Sequence, residues 1–101
     1  MTVYVHVTLK VKAAGVTDFV ATMKKAVPIL EAHGWRLVLA LAQRTGRLNT
    51  VIDIWELEDF DHFDRGLKGL TADPRFPEIK AVLDANVQSE TIVFADRLNY
   101  V

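Results

Sequence analysis

The sequence predicts an α+β fold, in which helices cover one face of a four-stranded antiparallel sheet. Four stretches are rich in the β-branched, aromatic and aliphatic residues that are typical of strands. Between them, apolar residues recur at the three- and four-residue spacing of amphipathic helices. A tight connection at Arg44–Leu48 joins the second strand to the third and predicts a hairpin. The resulting βαββαβ order is that of the ferredoxin-like plait, whose first and third strands are central.

The length and composition of the chain limit the classes of protein it can belong to. With 101 residues, half of them apolar and a quarter charged, residues 1–101 fit one globular domain. A net charge of −1 provides no basic field for nucleic acid. The absence of cysteine excludes disulfides and thiolate chemistry. Since neither a signal peptide nor a membrane-spanning run is present, we expect a cytoplasmic protein with no nucleic-acid or membrane partner.

The first strand, Thr2–Val11, alternates without a break between two rows of side chains. Every odd-numbered residue from Val3 to Val11 is aliphatic, which predicts a buried face. The other row carries the polar and aromatic side chains, namely Tyr4, His6, Thr8 and Lys10.

The first helix follows a turn at Gly15 and carries a single apolar stripe. The stripe comprises Val16, Phe19, Val20, Met23, Val27 and Leu30. Thr17 or Asp18 is expected to cap the start of the helix by accepting a hydrogen bond from a backbone N–H. Pro28 removes one backbone hydrogen bond in the last turns. Gly34 is suited to end the helix in the left-handed conformation.

The second and third strands, Trp35–Gln43 and Leu48–Glu58, are largely apolar on both faces. In the third strand Ile52 and Ile54 form one row. The other row comprises Val51, Asp53, Trp55 and Leu57. Such a strand is typical of a central position with both faces covered. Asp53 is the main functional clue, because a buried carboxylate destabilises a protein unless a partner meets it.

The second half of the chain predicts a helix that is interrupted before the last strand. Asp59 is expected to cap this helix, and His62 in its first turn to face solvent. Pro74 breaks the helix, and a second helical piece runs from Pro77 to Asn86. The last strand is predicted over Gln88–Asn99. Ile92 and Phe94 form one row of this strand, and Thr91, Val93 and Ala95 form the other.

Two helices can cover only one face of a four-stranded sheet, yet the second, third and fourth strands are apolar on both. We therefore expect a bare apolar sheet face. Its predicted members are Val38, Ala40, Val51, Trp55 and Val93. Packing this face against its copy in a second molecule would bury it with two-fold symmetry, so the sequence predicts a homodimer through the sheet face.

The polar row of the first strand supplies candidate catalytic groups. If the rows Val3–Val11 and Ile52–Ile54 face the helices, His6 and Asp53 share the opposite face of neighbouring strands. We interpret His6 as a general base that Asp53 orients, with Tyr4 assisting at a substrate oxygen. The predicted substrate-binding residues are Thr8, Val51 and Trp55. The alternative is that His6 and Asp53 satisfy each other inside the dimer interface and do no chemistry.

We expect no cofactor and no metal ion. Haem would need an axial ligand in a large apolar cavity, and none of the histidines, His6, His33 and His62, has a companion motif. His62 with Asp61 or Asp64 provides too few ligands for a typical metal site. Glycine-rich phosphate loops and nucleophile elbows are absent from the sequence.

Four motifs spread over nearly the whole chain carry a family resemblance. The most specific is Arg47-Leu-Asn-x-Val-x-Asp-x-Trp55, and Ala72-Asp-Pro-x-Phe76 comes after the next helix. The opening Tyr-x-x-x-x-Leu-Lys, residues 4–10, and the closing Gln-Ser-Glu-Thr-Ile, residues 88–92, complete the set. Together they resemble the NIPSNAP family of the dimeric α+β barrel superfamily. Asp53 departs from the family pattern, which often has histidine two residues before the tryptophan.

The resemblance implies a dimeric α+β barrel as the fold. It does not imply one activity, because members of the superfamily differ in their chemistry. Similar proteins include cofactor-free monooxygenases, polyketide cyclases, lactone isomerases and haem-binding members. From this we expect a small apolar or aromatic molecule in a barrel pocket, and hypothesise cofactor-free proton-transfer chemistry. The alternative is a non-enzymatic dimerisation or accessory module with a packed interior, because fold does not determine function.

Overall fold

The computed structural model describes residues 2–100, which form the predicted α+β fold. The elements in chain order are β1 (Val3–Val11), α1 (Val16–Ala32), β2 (Arg36–Ala42), β3 (Thr50–Leu57), α2 (Phe60–Ala72), α3 (Phe76–Asn86) and β4 (Val87–Ala95). The strands are antiparallel in the order β2-β3-β1-β4, so the predicted central pair, β1 and β3, is confirmed. Within residues 2–100, no helix is both long and apolar enough to cross a membrane.

The start of α1 differs from the prediction. A short 3-10 turn, Ala13–Gly15, leads directly into the helix at Val16, and no side chain caps it. The cap predicted at Thr17 or Asp18 is wrong, because the 3-10 turn places both residues inside the first helical turn. The other helix signals are confirmed. Pro28 lies within α1, and Gly34 ends it with a φ of 98°.

The helices after β3 follow the predicted capping and break. The Asp59 side chain accepts a hydrogen bond from the backbone N–H of His62 at 2.9 Å, which confirms the cap of α2. Residues 73–75 separate α2 from α3. The second helical piece starts at Phe76, one residue before the predicted start, with proline in its first turn.

The pairing register decides which side chains of β3 lie beneath the helices. On the helix-covered face, Val5 of β1 pairs with Trp55, Val7 with Asp53 and Leu9 with Val51. On the opposite face, His6 pairs with Ile54 and Thr8 with Ile52. The expectation that Ile52 and Ile54 face the helices is therefore wrong. Directly paired side chains share a face, and the aliphatic row of β1 pairs with the row that contains Asp53.

The side of the sheet without helices, hereafter the free face, is apolar at its centre. Its main apolar side chains are Leu39, Leu41, Ile52, Ile54 and Val93. Of the predicted members of a bare face, Val93 and Val38 lie there, whereas Ala40, Val51 and Trp55 lie on the helix-covered face. Leu39, Leu41 and Val93 are each nearly half exposed. A bare apolar face thus exists, but mostly different residues form it.

Candidate functional site

A cavity of about 720 Å³ lies between the helix-covered face of the sheet and the three helices, hereafter the interior cavity. Its volume falls within the range of small-molecule sites. Aliphatic and aromatic side chains form most of its walls, among them Val7, Leu9, Met23, Leu30, Trp55 and Leu67. Its charged side chains are Asp53, Lys80, Asp84 and Glu90. The fold therefore places a largely apolar space with a few ionisable groups beneath its helices.

Asp53 is the buried carboxylate of this cavity. It is 4% exposed, and its cross-strand neighbours, Val7 of β1 and Ala40 of β2, have no side-chain hydrogen-bond donor. Among residues 2–100, no hydrogen bond or ion pair stabilises its charge. Burial is the main cause that raises the pKa of Asp53 to about 6 from 3.8, and the charge of Glu90 adds to it. A carboxylate with this pKa can exchange protons near neutral pH.

A second cavity, of about 450 Å³, lies between α1 and β2 and is hereafter the edge groove. Phe19, Val27 and Leu37 contribute to its apolar walls. Met23 and Asp53 line both the edge groove and the interior cavity. The buried carboxylate therefore stands at the boundary between two apolar spaces.

An aromatic cluster holds one wall of the interior cavity in place. The rings of Trp55 and Trp35 meet edge to face at 5.2 Å between centroids, and Phe63 stacks on Trp35 at 5.2 Å. The Trp35 indole N–H donates a hydrogen bond of 2.7 Å to the carbonyl oxygen of His62. Gly66 of α2 leaves room for that indole, since a Cβ there would overlap Nε1 of Trp35. Trp55 thus packs against an indole ring that is itself held by a hydrogen bond and by close packing.

The structure separates the residues that the sequence predicted to act together. Tyr4, His6 and Thr8 lie on the free face, whereas Asp53 lies on the helix-covered face with Val51 and Trp55. The predicted orientation of His6 by Asp53 is therefore wrong, because residues in opposite rows of neighbouring strands point away from each other.

Tyr4 belongs instead to a polar cluster at one end of the free face. Its hydroxyl donates a hydrogen bond of 3.3 Å to Glu56, and Arg36 forms an ion pair of 2.6 Å with the same carboxylate. The hydrogen bond from Arg36 is the main cause that lowers the pKa of Glu56. This carboxylate is partnered, and it has no contact with the interior cavity.

His62 was expected to face solvent, and this expectation is wrong. Its side chain is only 16% exposed and packs against Gly34. Its Nδ1 accepts a hydrogen bond of 3.2 Å from the backbone N–H of Glu58. The close approach of the turn after α1 covers the imidazole, a tertiary contact that local sequence does not reveal.

Sequence reasoning missed Met23, Lys80 and Glu90 as cavity residues. Met23 and Lys80 project from helices whose positions over the sheet depend on tertiary packing. The position of Glu90 could have been predicted from the sequence, because it shares a row of β4 with the apolar Ile92 and Phe94. Within residues 2–100, no three histidine, aspartate or glutamate side chains converge where they could hold a metal ion.

Comparisons with known proteins agree on the family and on the fold. The family model described as NIPSNAP matches residues 4–96. An uncharacterised NIPSNAP domain protein from Burkholderia xenovorans has 22% sequence identity and a TM-score of 0.81, over 100% of this chain and 98% of that one. A NIPSNAP family protein from Agrobacterium tumefaciens has 14% identity and a TM-score of 0.84, over 99% and 89% of the two chains.

The same fold occurs in a protein described as an enzyme. SnoaB, a cofactor-independent oxygenase from Streptomyces nogalater, has 20% identity and a TM-score of 0.73, over 98% of this chain and 96% of that one. At this identity the likeness concerns the fold alone. No protein among the curated sequences matches the chain.

Proposed function

The chain belongs to the NIPSNAP family, and we propose that it binds a small, mostly apolar organic molecule in the interior cavity and exchanges a proton with it through Asp53. One observation carries the proposal: a buried carboxylate, with no hydrogen-bond or ion-pair partner among residues 2–100, lines a cavity of about 720 Å³ with mainly apolar walls. An unpartnered buried charge is unfavourable, and such groups concentrate at functional sites. A ligand that donates a hydrogen bond or a proton would satisfy it.

The environment of Asp53 suits a general base. Because burial and Glu90 raise its pKa to about 6, it is mostly ionised at neutral pH and still a competent proton acceptor. Abstraction of a substrate proton leaves a neutral carboxylic acid, which can return the proton to another substrate atom. An isomerisation or cyclisation needs no more than these two transfers. The oxygenase with the same fold is described as cofactor-independent, which supports chemistry of this kind.

The test is a thermal-shift screen of small aromatic and aliphatic compounds on the wild type, followed by turnover assays on its hits. Binding to the native state raises the melting temperature. The decisive variant is Asp53→Asn, which keeps the shape of the side chain but cannot accept a proton at neutral pH. Its matched control is Glu56→Gln, which alters a carboxylate of the same strand on the free face.

We expect hits to be turned over by the wild type and by Glu56→Gln but not by Asp53→Asn. A general base contributes about 10²–10⁴-fold to a rate, so the loss is large enough to measure. Undiminished turnover by Asp53→Asn would contradict the assignment of the base. A screen in which no compound class binds would favour the alternative, a non-enzymatic module with an interior closed to ligands.

We also propose that the chain forms a homodimer through the free face. Leu39, Leu41 and Val93 are nearly half exposed there, and Ile52 and Ile54 join them at the centre of the sheet. A contiguous apolar surface of this kind is typical of an interface, and a second copy could bury it with two-fold symmetry. Sedimentation at micromolar concentration tests this directly.

The matched variants are Ile54→Lys on the free face and Leu48→Lys in the exposed loop before β3. We expect Ile54→Lys to sediment as a folded monomer, since burying an unpaired ammonium in the interface is unfavourable. Leu48→Lys is expected to remain dimeric. A monomeric wild type would refute the proposed dimer.

A further inference from the structure

We propose that the interior cavity selects for an apolar molecule that carries a cationic amine, and against carboxylates and phosphates. This inference rests on the proposed function, because it assigns the ligand charge for the same cavity. The observations behind it are the positions and partners of the four charged side chains that line the cavity, Asp53, Lys80, Asp84 and Glu90.

The positive charge in the cavity is already neutralised. Among the described residues that line it, Lys80 is the one cation, and its ammonium forms an ion pair with Asp84 one turn further along α3. An anionic ligand that approached Lys80 would also meet the carboxylate of Asp84, which repels it. The cavity therefore offers little electrostatic attraction to a carboxylate or a phosphate.

The remaining charges are two carboxylates on strands that flank β1. Asp53 of β3 lies beside Val7 of β1, and Glu90 of β4 lies beside the neighbouring inward residue, Leu9. Both carboxylates line the cavity, and the charge of Glu90 acts on Asp53. Asp53 is buried, whereas Glu90 lies on an exposed part of β4. The cavity thus has one carboxylate in its buried part, Asp53, and one at its exposed side, Glu90.

A cationic amine fits this pattern better than a neutral or anionic group. At Glu90 it would form a charge-assisted hydrogen bond, while the apolar body of the molecule fills the space lined by Val7, Leu9 and Trp55. Its charge would also offset the repulsion between Glu90 and Asp53, which leaves Asp53 free to act on the body of the molecule. A carboxylate at the same place would face two like charges.

The test compares three probes that share a naphthyl body: naphthylethylamine, naphthylethanol and naphthylacetate. Their dissociation constants are measured by titration calorimetry on the full chain. We expect the amine to bind about threefold more tightly than the alcohol, since an ion pair with an exposed carboxylate contributes roughly 0.2–1 kcal/mol. The acetate is expected to bind more weakly than the alcohol.

The decisive variant is Glu90→Gln, with Glu78→Gln as the matched control. Glu78 is an exposed carboxylate of α3 that pairs with Lys25 and does not line the cavity. Glu90→Gln should reduce the affinity for the amine to about that for the alcohol, whereas Glu78→Gln should leave all three affinities unchanged.

Two results would overturn the inference. If naphthylacetate binds as tightly as the amine to the wild type, the charge assignment fails, while ligand binding in the cavity still supports the proposed function. If Glu90→Gln keeps the full preference for the amine, the assignment to Glu90 fails. Absence of binding by all three probes would overturn the charge selectivity, and the proposed function would fall with it only if the broad screen is also negative.

Discussion

Asp53 and Glu56 are three residues apart in β3, yet they lie in opposite chemical environments. Asp53 is buried beneath the helices without a partner, and burial raises its pKa. Glu56, on the free face, accepts hydrogen bonds from Arg36 and Tyr4, and these lower its pKa. The comparison shows that the row of a strand in which a carboxylate lies decides whether the pKa of that carboxylate is raised or lowered.

The largest contrast between the two faces should appear when one leucine on each face is replaced by alanine. Leu57 is 1% exposed on the helix-covered face, and Leu41 is 49% exposed on the free face. We expect Leu57→Ala to lower the free energy of unfolding by about 3 kcal/mol, because it leaves a cavity in the core. Leu41→Ala should cost under about 1 kcal/mol in the monomer. Urea denaturation at low protein concentration measures both, and equal losses would contradict the assignment of the faces.

The next contrast concerns the aromatic wall that only the helix-covered face possesses. We expect Gly66→Ala to lower the free energy of unfolding by about 2 kcal/mol, because the added methyl overlaps the fixed indole of Trp35. The control is the double variant with Trp35→Phe, whose smaller ring vacates that space. The two changes should be non-additive in thermal denaturation, and simple addition would show that Gly66 does not act through Trp35.

The two carboxylates should also differ in their pH dependence. Since the pKa of Asp53 rises from 3.8 to about 6 on folding, folding takes up a proton in this pH window and stability falls as pH rises through it. Asp53→Asn should therefore be more stable than the wild type by about 2–3 kcal/mol at neutral pH, and by less than about 1 kcal/mol at about pH 4. Urea denaturation across this range measures the difference.

The sign is opposite for Glu56. Its lowered pKa means that its ionised form favours the folded state, so that stability is lost as pH falls through the folded-state pKa. Glu56→Gln should therefore remove stability at neutral pH and spare it in acid. If both variants changed stability in the same direction, the contrast between the faces would not hold for charge.

The smallest effect is expected at His6, which lies on the free face. His6→Gln should leave the affinity for any ligand of the interior cavity within about twofold of the wild type, since surface substitutions change free energies by about 0.5 kcal/mol or less. Titration calorimetry with a hit from the screen measures it. A loss of affinity well beyond twofold would instead support the pairing of His6 with Asp53.

The order and approximate bounds of the elements could be read from the sequence. Alternation in β1, the cap at Asp59 and the glycine at 34 are local signals, and the structure agrees with each of them. The sheet order followed from a single tight hairpin between the middle strands and from the helices in the other two connections.

The site could not be read in the same way, because β3 is apolar in both rows. Alternation identifies two rows but does not say which one lies under the helices, and that choice fixed whether Asp53 would meet His6. A signal was present: the row of Ile52 and Ile54 ends in Glu56, whereas the other row continues to Leu57. A charged end favours the less covered face.

Met23 separates two spaces that together flank the same carboxylate. Thioether side chains are flexible and tolerate replacement, so this boundary can change without disturbing the sheet. A shorter residue at position 23 would open a continuous channel past Asp53 and admit longer molecules, and a bulkier one would divide the spaces more firmly. Substitutions at that one position could therefore change which molecules fit beside Asp53, with the buried carboxylate left in place.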